Sequence, residues 1–222
     1  MIIGYNTMNI MKTRIYIIRH GQSLGNLNNV CLGHTDLDLT ELGYSQAKQT
    51  AEALKDVEFA AIYSSDLIRA RHTALPHCEI RHMQMIVLPE LRELYFGDWE
   101  NCSVEYLKEK YHEDFTVGWR RIFGTFTPPG GERVVDMAHR ISSAVKKIAE
   151  KHPGQNVLIV SHAAAIRAFW GEILALAPSR WAENPFPSNA SYSIVEYCDG
   201  KIYPKEYSID AHLGDSATSI RM

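Results

Sequence analysis

Two short runs constrain the fold of this chain more than anything else in it. Ile15-Tyr16-Ile17-Ile18 and Val157-Leu158-Ile159-Val160 are apolar throughout, and each is followed by a polar residue and a histidine, Arg19-His20 and Ser161-His162. A strand with one wet face alternates apolar and polar residues. A strand without polar positions is buried on both faces, as in the parallel sheets of α/β proteins. Both histidines then stand at strand carboxyl ends, which in an open parallel sheet share the rim where ligands bind. Two imidazoles in one cleft are the first functional expectation.

The segments around these runs alternate in the same sense. Thr40 can cap a helix carrying Leu42, Ala47, Ala51 and Leu54, and residues 59–63 read as a second strand. Ser64-Ser65-Asp66 predicts a cap cluster before a helix through Ala74 that Pro76 stops, and residues 85–88 form a short strand near an edge. Met137, Ile141, Ala144, Val145 and Ile148 have helical spacing up to Pro153-Gly154. Ile166, Phe169, Trp170, Ile173 and Leu174 give a helix after His162, and Asp199-Gly200 joins two strands, 192–197 and 202–207, as a hairpin. The order predicts a three-layer α/β/α sandwich with a mainly parallel central sheet and an antiparallel edge.

With 222 residues, 45% of them hydrophobic, the chain can bury one substantial core, so residues 12–222 are expected to form a single domain. Residues 1–11 read as a flexible extension, and the aromatic-rich stretch 96–129 as a loosely structured, lid-like insertion. A net charge of -3 gives no basic field, so neither nucleic acid nor an anionic membrane is an expected partner. No run reaches the ~18 apolar residues of a membrane span. The start of the chain lacks the pattern of a secretory signal. Cys31, Cys78, Cys102 and Cys198 are far apart, which argues against a zinc ribbon or a disulfide framework and for reduced thiols in the cytoplasm. Oligomeric state is open, a dimer being one option.

Arginine directly before a histidine nucleophile suits an anionic substrate, because its planar fork binds phosphate oxygens in two places and stays charged. The string continues as Arg19-His20-Gly21-Gln22-Ser23-Leu24-Gly25-Asn26. It resembles the signature of the histidine phosphatase superfamily, the group that includes phosphoglycerate mutases. Ser64-Ser65-Asp66-Leu67-Ile68-Arg69-Ala70, Leu91-Arg92-Glu93 with Phe96-Gly97-Asp98-Trp99-Glu100, Pro129-Gly130-Gly131-Glu132, Val160-Ser161-His162 and Asn189-Ala190-Ser191 resemble its further blocks in family order.

The resemblance implies a phosphoglycerate mutase-like fold and a metabolite phosphomonoesterase without metal or other cofactor. His20 would attack phosphorus to form a phosphohistidine, with a backbone carbonyl fixing its tautomer. Glu93 would serve as acid and then base, and His162 as the second catalytic histidine. Arg19, Gln22, Asn26 and Arg69 would bind the phosphate. The stretch after Glu93 resembles the phosphatase branch, while Trp119-Arg120-Arg121 faintly echoes a mutase segment. Ala163 stands where the family commonly has glycine, and His72 where glutamine is more usual. Alanine is expected to be tolerated, since a helix N-terminus needs only ordinary φ and offers free amides to an anion.

Three alternatives remain: a mutase-type transfer, a non-catalytic phospho-ligand module, and a metal hydrolase built on His34 and Asp36. The last lacks further ligands at suitable spacing. Tyr95, Phe96, Trp99, Tyr106, Tyr111 and Phe115 either line a leaving-group pocket or pack as core.

Overall fold

The two apolar runs pair with each other at the centre of a six-stranded sheet. In the computed structural model, which describes residues 11–219, the strands are β1 (Thr13–Arg19), β2 (Ala61–Ser64), β3 (Met85–Val87), β4 (Asn156–Ser161), β5 (Tyr192–Cys198) and β6 (Lys201–Ile209). Their order is β3-β2-β4-β1-β5-β6. The first four run parallel, and β5 and β6 add an antiparallel edge, as the alternation of elements requires. Except for Met11, the expected N-terminal extension lies outside the described residues.

Helices α1 (Leu24–Leu27), α2 (Glu41–Ala53), α3 (Ile68–Arg81), α4 (Val104–Lys110), α5 (Val134–Lys151) and α6 (Ala163–Ile173) complete the fold. The chain steps from β1 to β2 to β3 in one direction and returns from β3 to β4 in the other. Right-handed crossovers therefore put α2 and α3 on one face and α5 on the opposite one. Successive strand residues point to opposite faces, and the core divides accordingly. Ile15, Ile17, Val157 and Ile159 join a cluster with Met137 and Ile141 of α5 and Phe169 of α6. Tyr16, Ile18, Leu158 and Val160 join one with Leu54, beside α2, and Ala70 and Ala74 of α3.

Local chemistry explains where elements start and stop. The Thr40 side chain accepts from the Gly43 amide and caps α2 as expected. In α3 the expectation fails at both ends. The carboxylate that meets its first turn is Asp36, which accepts from the Ile68 amide at 2.7 Å, while Asp66 pairs with Arg92. Pro76 lies inside the helix, which continues to Arg81 and ends at His82 with φ 52°. A proline removes the bond its own nitrogen would make and crowds the carbonyl four residues before it, and burial of Thr73, Ala74, His77 and Cys78 on one side holds the helix through it. At the hairpin Asp199 and Gly200 both have positive φ, 50° and 77°, the geometry a two-residue turn needs to match strand twist.

The 96–129 stretch is packed rather than loose. Trp99 lies 5.0 Å from Phe126 and 5.7 Å from Phe115, and Trp119 5.0 Å from Phe123, ring centre to ring centre. Phe96, Trp99 and Phe115 belong to the core, whereas Tyr95 and Tyr106 are exposed. Of the six aromatics singled out in the sequence, only Phe96 also lines the site pocket.

Truncating a fully buried ring leaves a void that rigid strands cannot fill. Phe169→Ala is expected to lower the unfolding free energy by about 3–5 kcal/mol, read from urea denaturation; a loss below ~1 kcal/mol would contradict this packing.

Candidate active site

The register of the central strand pair builds the site. β1 and β4 align Arg19 with Ser161, so the next residue on each strand is a histidine. The His20 amide donates to Ser161 O at 3.0 Å, and the two imidazole centres lie 5.2 Å apart.

His20 is buried, with Nδ1 2.7 Å from Gly21 O. A carbonyl only accepts, so Nδ1 carries the hydrogen and Nε2 keeps its lone pair. Burial, then Arg69 and Arg19, push the His20 pKa well below the ordinary range, so the ring is neutral. The turn is pinned from two helices. The Gly21 amide donates to Thr73 Oγ1 of α3 at 3.0 Å. A Cβ on Gly21 would stand 2.5 Å from Gly43 O of α2, a distance only glycine avoids.

Around His20 lie two guanidiniums that are 1% exposed. Arg19 Nη1 donates to Pro187 O, and Arg69 donates through Nη1 to Thr35 O and through Nη2 to Gly33 O. Burial pushes the pKa of each down to about 10. Neither makes a carboxylate salt bridge among the described residues, and Arg19 Nε has no partner. His162 is fully buried with both ring nitrogens unpartnered among the described residues, its pKa held well below the usual value by burial and by Arg69. Buried polar atoms are nearly always paired, so this grouping calls for an oxygen-rich ligand.

Glu93 closes the site from the α6 side. Its Oε2 accepts from Ala164 N at 3.2 Å, and its Oε1 from Ala165 N and Leu94 N at 3.0 Å each. The α6 amides expected to be free for an anion are thus taken up by this carboxylate. Ala163 has no positive φ and lines the pocket, so its methyl group is accommodated at a helix start. Asn26 lines the pocket too. Its Oδ1 accepts from Ser23 N, Ser23 Oγ and Asn189 Nδ2.

The structure brings Arg19, His20, Asn26, Arg69 and Glu93 together around one pocket, with His162 beside His20 behind the lining. Gln22 is not among the lining residues. Its Oε1 accepts from Thr40 Oγ1 at 2.9 Å, because its main chain is tied to α2 through Gln46. His72 stands outside the lining and bonds Asp38. His34 Nε2 meets Glu93 O, and Asp36 caps α3. Among the described residues no group of three or more His, Cys, Asp or Glu side chains could hold a metal ion.

Residues of positioning value that sequence reasoning missed include Thr73, one helical turn after Arg69, and Glu100. The Glu100 carboxylate accepts from His34 N and Thr35 Oγ1, which fixes the loop whose carbonyls clamp Arg69. Asn189 ties His20 O to Asn26. Only the spacing of Thr73 from Arg69 could have signalled its part.

Residues 15–210 match the histidine phosphatase superfamily, branch 1, and the chain belongs to that family. It is 30% identical over 201 residues to the phosphatase PhoE of Bacillus subtilis, covering 90% of this chain and 97% of that one. It is 31% identical to an adenosylcobalamin/alpha-ribazole phosphatase of Salmonella typhimurium, over 84% of this chain and 92% of the other. The solved structure of a mycobacterial glucosyl-3-phosphoglycerate phosphatase superposes with a TM-score of 0.82 at 29% identity, covering 89% of this chain and 99% of that chain. A phosphoserine phosphatase and phosphoglycerate mutases also match, but these relatives are phosphatases more often than mutases, which supports hydrolase activity. No helix among the described residues is long and apolar enough to cross a membrane.

Buried neutral histidines leave a mark on stability. His77 of α3, its pKa pushed down to about 3 by burial and then by Arg81, stays neutral in the fold while the unfolded chain protonates near the ordinary value of about 6.5. Its contribution is whole above that value and is lost as pH falls toward the native pKa. Between pH 7.5 and 5.5 the unfolding free energy should fall, and His77→Leu should reduce that fall by about 1 kcal/mol. Equal falls in urea titrations of the two proteins would refute the assignment.

Proposed function

We propose that this chain hydrolyses phosphate monoesters of small metabolites through a phosphohistidine on His20. The observation that carries this reading is the Nδ1–Gly21 O hydrogen bond, which leaves Nε2 of a neutral ring as the nucleophile between two buried arginines.

Phosphoryl transfer needs an in-line nucleophile, cations on the equatorial oxygens and a proton for the leaving oxygen. In the proposed cycle the Nε2 lone pair attacks phosphorus and the bond to the leaving oxygen breaks. Arg19, Arg69 and the Asn26 amide hold the phosphoryl oxygens, and His162 offers a ring nitrogen to one of them. Glu93 gives the leaving oxygen its proton. Water then attacks phosphorus, returns a proton to Glu93 and breaks the P–N bond, releasing inorganic phosphate and restoring His20.

The reading takes residues 12–222 as one catalytic domain, with 96–129 as the lid-like wall that supplies Phe96 and Trp119 to the pocket. Four free cysteines support a reducing, cytoplasmic setting. Mutase-type transfer has less support. Arg120 and Arg121, the pair that echoes a mutase segment, are exposed and absent from the lining. A pure binding module would have no use for an oriented nucleophile opposite a buried carboxylate.

His20→Ala is expected to abolish hydrolysis of p-nitrophenyl phosphate and to lose the acid-labile, base-stable phosphate trapped on the wild-type chain. Glu93→Gln is expected to lower kcat by about 10²–10⁴-fold while still accepting that label. Full activity in His20→Ala would remove the covalent route.

A further inference from the structure

Resting on the phosphatase reading above, we infer that the leaving group of the substrate is uncharged and apolar, with Val30, Phe96, Trp119 and Phe186 as its specificity-determining wall.

The charge inventory of the pocket carries this. Its lining holds two cations, Arg19 and Arg69, and one carboxylate, Glu93. Both arginines flank His20 at the end of β1 and are engaged by the transferred phosphoryl group. Outside the lining, Arg92 and Arg140 are paired with carboxylates. Arg92 makes two bonds to Asp66. Arg140 binds both oxygens of Glu132 and the carbonyls of Glu90, Arg92 and Glu93.

Arg167 is held by carbonyls and ring faces and does not line the pocket. It lies beneath the wall, its guanidinium 4.1 Å from the Phe186 ring centre, with Nε on Asn184 O and Nη2 on Ala182 O. It fixes the segment that delivers Phe186 to the pocket and Pro187 O to Arg19. A carboxylate or second phosphate on the leaving group would therefore find no lining cation beyond the two arginines that hold the phosphoryl group. Leaving a charge unpaired in a desolvated site is how proteins reject a ligand.

The remaining surface favours carbon. Trp119 and Phe186 stack at 5.5 Å with an interplanar angle of 28°, Phe96 meets Trp119 edge-on at 5.1 Å, and Leu32 continues the wall. Such a wall recognises a ring or alkyl body by area and shape, with Ser23 and Asn26 as the neutral polar lining residues beside the nucleophile.

Three esters with aliphatic alkoxide leaving groups separate charge from intrinsic reactivity: 2-phenylethyl phosphate, glycerol 3-phosphate and 3-phosphoglycerate. The expected order of kcat/KM is the order given, with at least a tenfold gap between first and last. Val30→Lys, checked for folding by its thermal melt, places a cation in the wall and should narrow that gap by at least fivefold. Comparable or faster turnover of 3-phosphoglycerate by the wild-type chain overturns the inference, as does an unchanged gap in a folded Val30→Lys. Hydrolysis of none of the three, together with no phosphate trapped on the protein, overturns the phosphatase reading itself.

Discussion

Parallel pairing of β1 with β4 is the interaction on which the site depends, because its register fixes what stands side by side at the rim. Arg19 opposite Ser161 means His20 opposite His162. Strand side chains alternate between faces, so a slip of one residue would turn every apolar side chain of β1 to the wrong layer. The two-faced core that stabilises the sheet thus also enforces the catalytic geometry. Nothing in the site has to hold the histidines together against the fold.

That rim pays for its chemistry with unmet polar groups. Among the described residues, two guanidiniums are buried without a salt bridge and a histidine ring has no partner for either nitrogen. Taking such groups out of water costs free energy that the apoprotein recovers only in part, through the carbonyls of Gly33, Thr35 and Pro187. In the proposed reaction a phosphate dianion would satisfy what remains. The cost is borne by layers with large apolar clusters on each side of the sheet, and by Glu93, whose charge lies close enough to favour both arginines.

The supporting shell is distributed over the chain. Thr73 of α3 holds the turn after β1, Glu100 holds the loop that clamps Arg69, and Asn189 links His20 to Asn26. Each acts through a backbone group of a neighbour rather than by facing the cleft. The proposed specificity wall shares supports with this shell: the segment that brings Phe186 to the pocket also gives Pro187 O to Arg19, and Glu100 accepts from the Phe96 amide as well.

By itself the sequence determined the layer architecture, the buried central strands and the meeting of His20, with Arg19 before it, and His162 at one rim, because periodicity and strand-end chemistry are local properties that a linear reading retains; the place of Arg69 and Glu93 beside them came only from the resemblance of their blocks to the family. It failed where a partner comes from far along the chain. Asp36 rather than Ser65 or Asp66 meets the first turn of α3, Glu93 takes the α6 amides, Gln22 turns away to Thr40, and Pro76 is carried inside a helix. Those outcomes, and the packing of the 96–129 rings into a wall, were decided by tertiary structure. A hydrogen bond or a ring contact is won by whichever group the fold brings within reach, and sequence distance does not say which that will be.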